Sequence, residues 1–264
     1  MTPKTCILIG ATVDSGKDRQ GCLMGPDAYR VAGLPAALTE LGHTTRDLGN
    51  LTPDPVSAPD DLPAHLHAAA QSRPQFVLWL DAHSDFHTPQ SSASGNLHGT
   101  PLAYITGNTG FTGFPKLANP IPEENICILG LRSVDGPERD ILQRTRIRRH
   151  DMREIDETGI AKPLSAFLAH VARANGMLHV SLDVDFLDPG FAPAVGTTVP
   201  GGATIREAHL VMEMICDSGL MTSLDLVELN PFLDDRGRTA QVMVDLTASA
   251  FGRRVFDRPT QAFA

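Results

Sequence analysis

Short apolar runs alternate with amphipathic stretches along most of the chain. Runs such as CILIG, FVLWL and ICILGL are apolar over several consecutive residues, as in strands buried on both faces of a sheet. Stretches such as PLSAFLAHVARAN and TIREAHLVMEMICDSG place apolar residues at helical spacing. This alternation predicts one domain over residues 1–264 with an α/β fold, in which a mostly parallel central sheet lies between helices as a three-layer α/β/α structure.

The composition excludes several classes of function. The chain has 264 residues, of which 42% are hydrophobic and 20% are charged, as in ordinary globular domains with one core. Its net charge is -9 and its Lys and Arg residues form no cluster, so we expect neither a nucleic acid nor a membrane as partner. The four cysteines, Cys6, Cys22, Cys127 and Cys216, form no CxxC pair. We therefore expect reduced thiols in a cytoplasmic protein.

Three of the predicted strands end in acidic residues, in LWLDAHSD, HVSLDVD and LDLVELN. Ligands of open parallel sheets bind beyond the carboxyl ends of the strands, so these ends should face one site. Alternation along a strand groups Asp81 with His83 and Asp85, and Asp183 with Asp185. Four carboxylates in one pocket would repel one another without a cation, and Mn²⁺ suits oxygen donors with one nitrogen. We predict a metal site, although a lone DxH motif is more often a solvated loop.

Two further residues indicate a substrate with nitrogen leaving groups. His98, in SGNLHG, could deliver a proton to a departing amine. Glu228, at the end of SLDLVELN, could pair with a guanidinium group. Taken alone, His98 would be a loop histidine and Glu228 a carboxylate that caps the next turn, so both roles depend on where the fold places them.

The segments DAHSDFHTPQSSASGNLHGTPL, SLDVDFLDPGFAPAVGTTVPGG and LDLVELNP resemble the ureohydrolase family, and the arginases most closely. GLRSVDGPE and the N-terminal IGATVDSG match as well, so the resemblance covers most of the chain. It implies an arginase-like α/β fold with two Mn²⁺ ions per subunit, which hydrolyses L-arginine to L-ornithine and urea. It also implies a homo-oligomer, either a trimer or a hexamer.

The resemblance implies roles for individual residues. The implied metal ligands are Asp81, His83, Asp85, Asp183 and Asp185. Asp81 and Asp183 would bridge the two ions, and Asp85 would bind the first ion and so belong to the catalytic residues. His98 would shuttle the proton to the leaving amine, and Glu228 would bind the guanidinium group.

The resemblance also implies residues that bind the amino-acid end of a small guanidino substrate. Ser94 and Asn96 lie where arginases hold the α-carboxylate, and Asp135 matches a group that recognises the α-amine. Thr197 matches another position of the substrate pocket. His87 is included because arginases commonly have Asn there, near the carboxylate. This set favours arginine or a close analogue over agmatine, while His87 leaves the exact substrate open.

One segment of the family has no counterpart in this sequence. Ureohydrolases carry GGDHS on an earlier strand, and its histidine binds the first Mn²⁺ ion. The stretch between Leu51 and Val77 has room only for a proline-rich loop and one helix, AHLHAAAQS. We therefore expect that strand and its preceding helix to be absent and the first metal site to be weak or empty. His65 and His67 are candidate replacements, although a pair of histidines on a surface helix is the simpler interpretation.

Three functions stay open on this evidence. The first is manganese-dependent hydrolysis of L-arginine or of a related guanidino or N-hydroxyguanidino acid. The second is a mononuclear metal amidohydrolase, and the third is a non-catalytic arginase-like protein that binds a guanidino ligand or a partner enzyme. His98 and Glu228 favour the first, because a non-catalytic protein would have little reason to keep them.

Overall fold

The structure, a computed structural model, describes residues 2–14, 19–51 and 73–254. Within these residues the strands are β1 (Thr5–Ala11), β2 (Thr44–Leu51), β3 (Gln75–Leu80), β4 (Ile126–Leu131), β5 (Arg148–Asp151), β6 (Met177–Asp183) and β7 (Met221–Val227). The helices are α1 (Gly25–Val31), α2 (Leu34–Glu40), α3 (Pro101–Ile105), α4 (Gly136–Leu142), α5 (Met152–Thr158), α6 (Ala161–Arg173), α7 (Ile205–Ser218) and α8 (Arg238–Ala250).

The centre of the molecule is a five-stranded parallel sheet in the order β5-β4-β3-β6-β7. Successive side chains of β3 point to opposite faces of this sheet. Leu78 and Leu80 belong to a core cluster with buried residues of α5, α6, α7 and α8, whereas Val77 and Trp79 belong to a second cluster with residues of α3 and α4. Helices therefore cover both faces, which confirms the predicted three-layer α/β/α fold.

The first two strands form a separate sheet. β1 pairs with β2 in parallel, and in the part of the chain that the structure describes neither the other edge of β1 nor the free edge of β7 has a strand partner. The apolar side chains Ile7 and Ile9 of β1 are 56% and 54% exposed. The expected absence of one strand of the family fold concerns the stretch between Leu51 and Val77, of which residues 52–72 lie outside the described residues.

Contacts at both ends attach the small sheet to the rest of the molecule. At the start of β1, the Lys4 backbone N–H donates to Nδ1 of His43, whose Nε2 lies 2.8 Å from the carbonyl oxygen of Phe251, just beyond α8. Beyond the end of β1, Nδ2 of Asn230 donates to the carbonyl oxygen of Gln20 over 3.0 Å. The segment around Gln20 is thereby held beside the loop that follows β7.

Some elements differ from the sequence-based expectation. The amphipathic stretch YRVAGLPAALTELG predicts one helix but forms the end of α1 and the whole of α2, because Gly33 adopts φ 93° and Pro35 lies in the first turn of a new helix. The short polar strand β5 and helix α5 were not predicted. The stretch AHLHAAAQS, with His65 and His67, lies outside the described residues.

Two further observations concern the cysteines and the possibility of a membrane span. The four cysteines form no disulfide with one another, and Cys22 is the least buried of them. Among the described residues, no helix has both the length and the apolar character needed to cross a bilayer.

Candidate metal centre and active site

The acidic strand ends meet at one edge of the five-stranded sheet. Strands β3, β6 and β7 are consecutive and parallel, so Asp81, Asp183 and Glu228 come together at their carboxyl ends. There they line a cavity of about 210 Å³. All twelve residues selected from the sequence line this cavity, namely Asp81, His83, Asp85, His87, Ser94, Asn96, His98, Asp135, Asp183, Asp185, Thr197 and Glu228.

The local backbone differs from the strand alternation used to group these residues. Strand β3 ends at Leu80, so the following DAHSD segment is a loop. Asp85 and Glu228 have φ values of 48° and 66°, which non-glycine residues rarely adopt. The Asp85 carbonyl oxygen accepts a hydrogen bond from the Leu102 backbone N–H over 3.1 Å, which anchors this unusual turn. Left-handed residues of this kind cluster at functional sites, where the surrounding structure holds them in place.

Three side chains form a compact group of metal-ligating atoms. Nδ1 of His83 lies 3.0 Å from Oδ2 of Asp185 and 3.5 Å from Oδ1 of Asp81, and one ligand atom from each of the three residues lies within 4.8 Å of the others. The Trp79 indole N–H donates to Oδ2 of Asp81, and the Asp185 backbone N–H donates to Oδ1 of Asp183. These bonds hold the carboxylates in fixed orientations at the bottom of the cavity.

The electrostatics of this group favour a bound cation. Burial, together with the charge of Asp185, raises the pKa of Asp81 to about 7, and burial also raises the pKa values of Asp85 and Asp183 well above their usual range. Burial opposes protonation of His83, but its bonds to Asp185 and Asp81 outweigh burial and raise its pKa to about 10. Protons thus offset the clustered negative charge, and a divalent cation would replace them. The donor set, oxygen-rich with one imidazole, fits Mn²⁺.

Exposure increases from the bottom of the cavity to its mouth. The carboxylates Asp81, Asp183 and Asp185 are at most 4% exposed, whereas the side chain of Asp135 is 49% exposed. Ser94, Thr197 and Asp135 lie at the exposed mouth, and Asn96 is half-buried. Asp81, Asp183 and Asp185 therefore lie deep, and most residues selected for substrate binding lie nearer to solvent. The two histidines differ from this order, because the side chain of His83 is 27% exposed and that of His87 is 13% exposed.

A second group of potential ligand atoms lies near the mouth. Nε2 of His87 is 3.0 Å from Oδ2 of Asp135 and 4.0 Å from Oε2 of Glu138. Glu138 is buried, lines the cavity and accepts a hydrogen bond from the Phe86 backbone N–H. It was not selected from the sequence, although its position three residues after Asp135, a spacing typical of helix starts, could have indicated it.

Arg132 is another residue near the site that the sequence did not single out. Its guanidinium group donates to the carbonyl oxygens of Gly130, Asp185 and Val199. These bonds tie the segment that contains Asp185 and Thr197 to the end of β4. A charged side chain between apolar runs, in LGLRSV, was the available sequence signal.

The loop that follows β1 also reaches the site. Sγ of Cys22 lies 3.5 Å from the carbonyl oxygen of Glu228, and Cys22 is half-buried. The structure places Cys22 directly beside the Glu228 backbone.

Comparison with known proteins identifies the family. A model described as "Arginase family" matches residues 62–252, which is most of the chain. The chain belongs to the arginase family. The prediction made from its motifs is therefore confirmed.

Full-length relatives of this arginase-family chain agree in sequence and in structure. A Brucella melitensis protein named arginase is 54% identical, with 98% of this chain and 99% of the relative covered. An Agrobacterium fabrum arginase is 52% identical over 98% of this chain and 94% of the relative. The solved arginase of Bacillus caldovelox superposes with a TM-score of 0.85 at 32% identity, over 97% of this chain and 100% of the other.

The alignment with the Brucella relative also measures what this chain lacks. It spans 304 positions, whereas this chain has 264 residues, so at least 40 aligned positions of the relative have no counterpart here. These positions outnumber the residues of an average strand and an average helix together.

Proposed function

We propose that this protein hydrolyses L-arginine to L-ornithine and urea in a manganese-dependent reaction. The observation that carries the proposal is the cavity in which the ligand group of Asp81, His83 and Asp185 lies together with His98 and Glu228. Relatives named arginase, at 52–54% identity over nearly the whole chain, support the same reaction.

The metal ions would be held by the carboxylates and the imidazole at the bottom of the cavity. Asp81, His83, Asp183 and Asp185 would form the better occupied site, and Asp81, Asp85 and Asp183 the weaker one. When bound, Mn²⁺ supplies Lewis acidity that activates a water molecule as the nucleophile. The weaker site would have carboxylate ligands alone, because the family's GGDHS histidine has no counterpart in the sequence.

The gradient of exposure suggests how arginine would enter. Its guanidinium group would reach the deep end of the cavity, where the Glu228 carboxylate would pair with it and hold its carbon in place for attack. At the mouth, Ser94 and Asn96 would bind the α-carboxylate, and Asp135 would bind the α-ammonium group. Thr197, whose hydroxyl lies 3.4 Å from Oδ2 of Asp185, would border both regions.

The reaction then needs one proton delivered to nitrogen. Water adds to the guanidinium carbon, and the bond from this carbon to the side-chain nitrogen of arginine breaks. His98, which lines the cavity in the turn Leu97–Gly99, would donate a proton to that departing nitrogen and so yield the amine of ornithine, while the remaining atoms leave as urea. Glu228 would stabilise the positive charge on the nitrogens throughout.

The test is urea release by the metal-free protein after addition of Mn²⁺. We expect urea from L-arginine with the wild-type chain and little or none with Asp183→Asn, because this change removes a deep carboxylate. The matched control is Asp225→Asn, which alters an exposed carboxylate on the neighbouring strand β7 outside the cavity. Activity that is absent on L-arginine and on other guanidino acids at saturating Mn²⁺ would refute the proposal.

A second candidate is hydrolysis with a single metal ion. It is favoured by the fact that, among the described residues, only one group of three close ligand atoms lies at the bottom of the cavity. Activity that saturates at one bound ion per chain would support it over the two-metal reaction. The non-catalytic alternative would appear as arginine binding without urea at full metal occupancy.

Two broader predictions belong to the same proposal. The free thiols support a cytoplasmic location, which fractionation of the native host would test. Family resemblance suggests a trimer or a hexamer, and light scattering of the purified protein would give its mass in solution.

A further inference from the structure

His87 is held on both sides at the mouth of the cavity. Its Nδ1 lies 3.1 Å from the Ser91 hydroxyl, and its Nε2 lies 3.0 Å from Oδ2 of Asp135. Its backbone N–H donates to the carbonyl oxygen of Gly99, in the turn that contains His98. The ring is only 13% exposed, so both nitrogens are used by the protein and neither can turn to a substrate without breaking a bond.

Asp135 is fixed by two bonds, one to each carboxylate oxygen. Oδ1 accepts the Glu138 backbone N–H over 2.9 Å at the start of α4, and Oδ2 faces Nε2 of His87. Because a carboxylate only accepts hydrogen bonds, Nε2 of His87 carries the proton. Nδ1 of His87 is engaged in the second contact, with the Ser91 hydroxyl. The side chain of Asp135 remains 49% exposed and presents its other lone pairs to the mouth of the cavity.

We propose that His87 is a positioning residue that fixes the Asp135 carboxylate for the α-ammonium group of the substrate. It thereby sets selectivity for guanidino α-amino acids over guanidino acids without an α-amine. The inference rests on the proposed function, because that function gives Asp135 its role at the mouth. Its physical basis is preorganisation: a carboxylate already held in its binding orientation loses less conformational freedom when the ligand binds.

Two substitutions separate the bond to Asp135 from the bond to Ser91. In His87→Gln, the longer side chain places an amide N–H near the position of Nε2, so the contact with Asp135 is kept. In His87→Asn, the amide reaches only the position of Nδ1, so the contact with Asp135 is lost. We expect His87→Asn to raise KM for L-arginine about tenfold with kcat little changed, which corresponds to one hydrogen bond to a charged group. His87→Gln should stay close to the wild type.

The substrate comparison tests selectivity directly. 5-Guanidinopentanoate has the carboxylate and the guanidinium group of arginine but no α-amine, so its KM should not respond to His87→Asn. In an Asp135→Asn background, His87→Asn should have almost no further effect on KM for L-arginine, because a positioning residue acts through its partner. Equal effects of Asn and Gln, equal effects on both substrates, or independent effects of the two positions would each overturn the inference.

A binding measurement separates this inference from the proposed reaction. Calorimetric titration of the Mn²⁺-loaded protein with L-ornithine should show about tenfold weaker binding for His87→Asn than for the wild type or His87→Gln. 5-Aminopentanoate, which lacks the α-amine, should bind all three proteins equally. If ornithine binding follows this pattern without any urea release, the inference stands and the proposed reaction fails. If arginine is hydrolysed but ornithine binds all three proteins equally, or does not bind the wild type, the inference fails.

Discussion

Nδ1 of His83 lies 3.0 Å from Oδ2 of Asp185, so the segment after β3 is bonded to the turn after β6. A metal ion at this place requires the Nδ1 lone pair of the imidazole, whereas the bond to Asp185 keeps a proton there. Burial lowers the pKa of His83, but its bonds to Asp185 and Asp81 outweigh burial and raise this pKa to about 10, so a metal ion would have to displace a firmly held proton. Metal binding, protonation and stability are therefore linked in this protein.

The metal-free protein should become less stable as the pH rises from 7 to 10. A group whose pKa is higher in the folded protein than in the unfolded chain contributes fully to stability at pH values below its unfolded pKa. This contribution is lost as the pH rises through the folded pKa. The stability contributed by Asp81 is lost between pH 3.8 and about pH 7, and the stability contributed by His83 is lost between pH 6.5 and about pH 10. Thermal unfolding followed by circular dichroism should show a falling Tm.

Two comparisons check the origin of this pH effect. In His83→Asn the decline between pH 7 and pH 10 should be smaller, because the titrating imidazole is gone. With saturating Mn²⁺ the decline should also be smaller, because the cation replaces the proton. A Tm that is constant or rises over this range in the metal-free wild type would contradict the assignment.

The two metal sites should differ in affinity. We expect calorimetric titration with Mn²⁺ to show one tightly bound ion per chain and a second, weaker one, because only the site that contains His83 has an imidazole ligand. His83→Asn should weaken the tight site and Asp85→Asn the weak one. Two ions of equal affinity in the wild type would show that another residue completes the weaker site of Asp81, Asp85 and Asp183.

His98→Asn should separate proton transfer from metal binding. We expect kcat to fall about 100-fold, because the general acid is lost, with unchanged Mn²⁺ content measured by elemental analysis. Added imidazole should restore part of the activity by delivering the proton from solution. Loss of metal together with activity, or no response to imidazole, would point to a structural role for His98.

Gly130→Ala should damage both the fold and the site. Gly130 has φ 104° within β4, where a Cβ would lie 2.7 Å from the Phe186 ring and 2.9 Å from the carbonyl oxygen of Asp81. We expect a loss of about 3 kcal/mol or more in the free energy of unfolding, from backbone strain and overpacking together. Urea denaturation gives this quantity, and Mn²⁺ titration would show a weaker site.

Gly42→Ala is the matched control for Gly130→Ala. Gly42 has φ 85°, but a Cβ at this position would have no atom within 4 Å. It should cost only the strain of a left-handed residue, about 1–2 kcal/mol, and leave Mn²⁺ affinity unchanged. Equal losses at the two glycines would mean that the close approach of Phe186 and Asp81 has no energetic effect.

Shortening an exposed side chain of β1 should have only a small effect on the free energy of unfolding. Ile7 is 56% exposed whereas Ile128 of β4 is fully buried, so the same Ile→Ala change samples two environments. We expect a loss of about 1 kcal/mol in the free energy of unfolding for Ile7→Ala and about 3–4 kcal/mol for Ile128→Ala. Equal losses in urea denaturation would reveal that Ile7 is covered by another part of the chain.

The sequence predicted those features that depend on local pattern. Continuous apolar runs such as the one before Asp81 gave the central strands, and parallel topology then required their acidic ends to meet. One local prediction was wrong: the apolar spacing around Gly33 predicted one continuous helix, but the left-handed backbone at Gly33 separates α1 from α2. Strand β5 was missed because its polar residues form a strand only by pairing with β4. Tertiary pairing overrides the weak local signal in such segments.

The hydrogen bonds between side chains of the site could not be predicted from the sequence. The bond between His87 and Asp135 joins a loop after β3 to the start of α4, and their sequence separation gives no indication of it. The left-handed backbone at Glu228 is equally hidden, because Glu is not a residue that favours this conformation. Residue type and spacing therefore indicated which groups share the cavity, but not how they hold one another.

The exposure of the β1–β2 sheet has a consequence for inactivation. Its strands have few buried side chains, and a unit of this kind opens at lower free energy than the buried core of the same protein. Since Cys22 lies beside Glu228, opening of this unit would withdraw a neighbour from the carboxylate while the five-stranded sheet stayed folded. Mild warming should then abolish turnover at temperatures where circular dichroism still reports a native helix content, and cooling should bring the activity back.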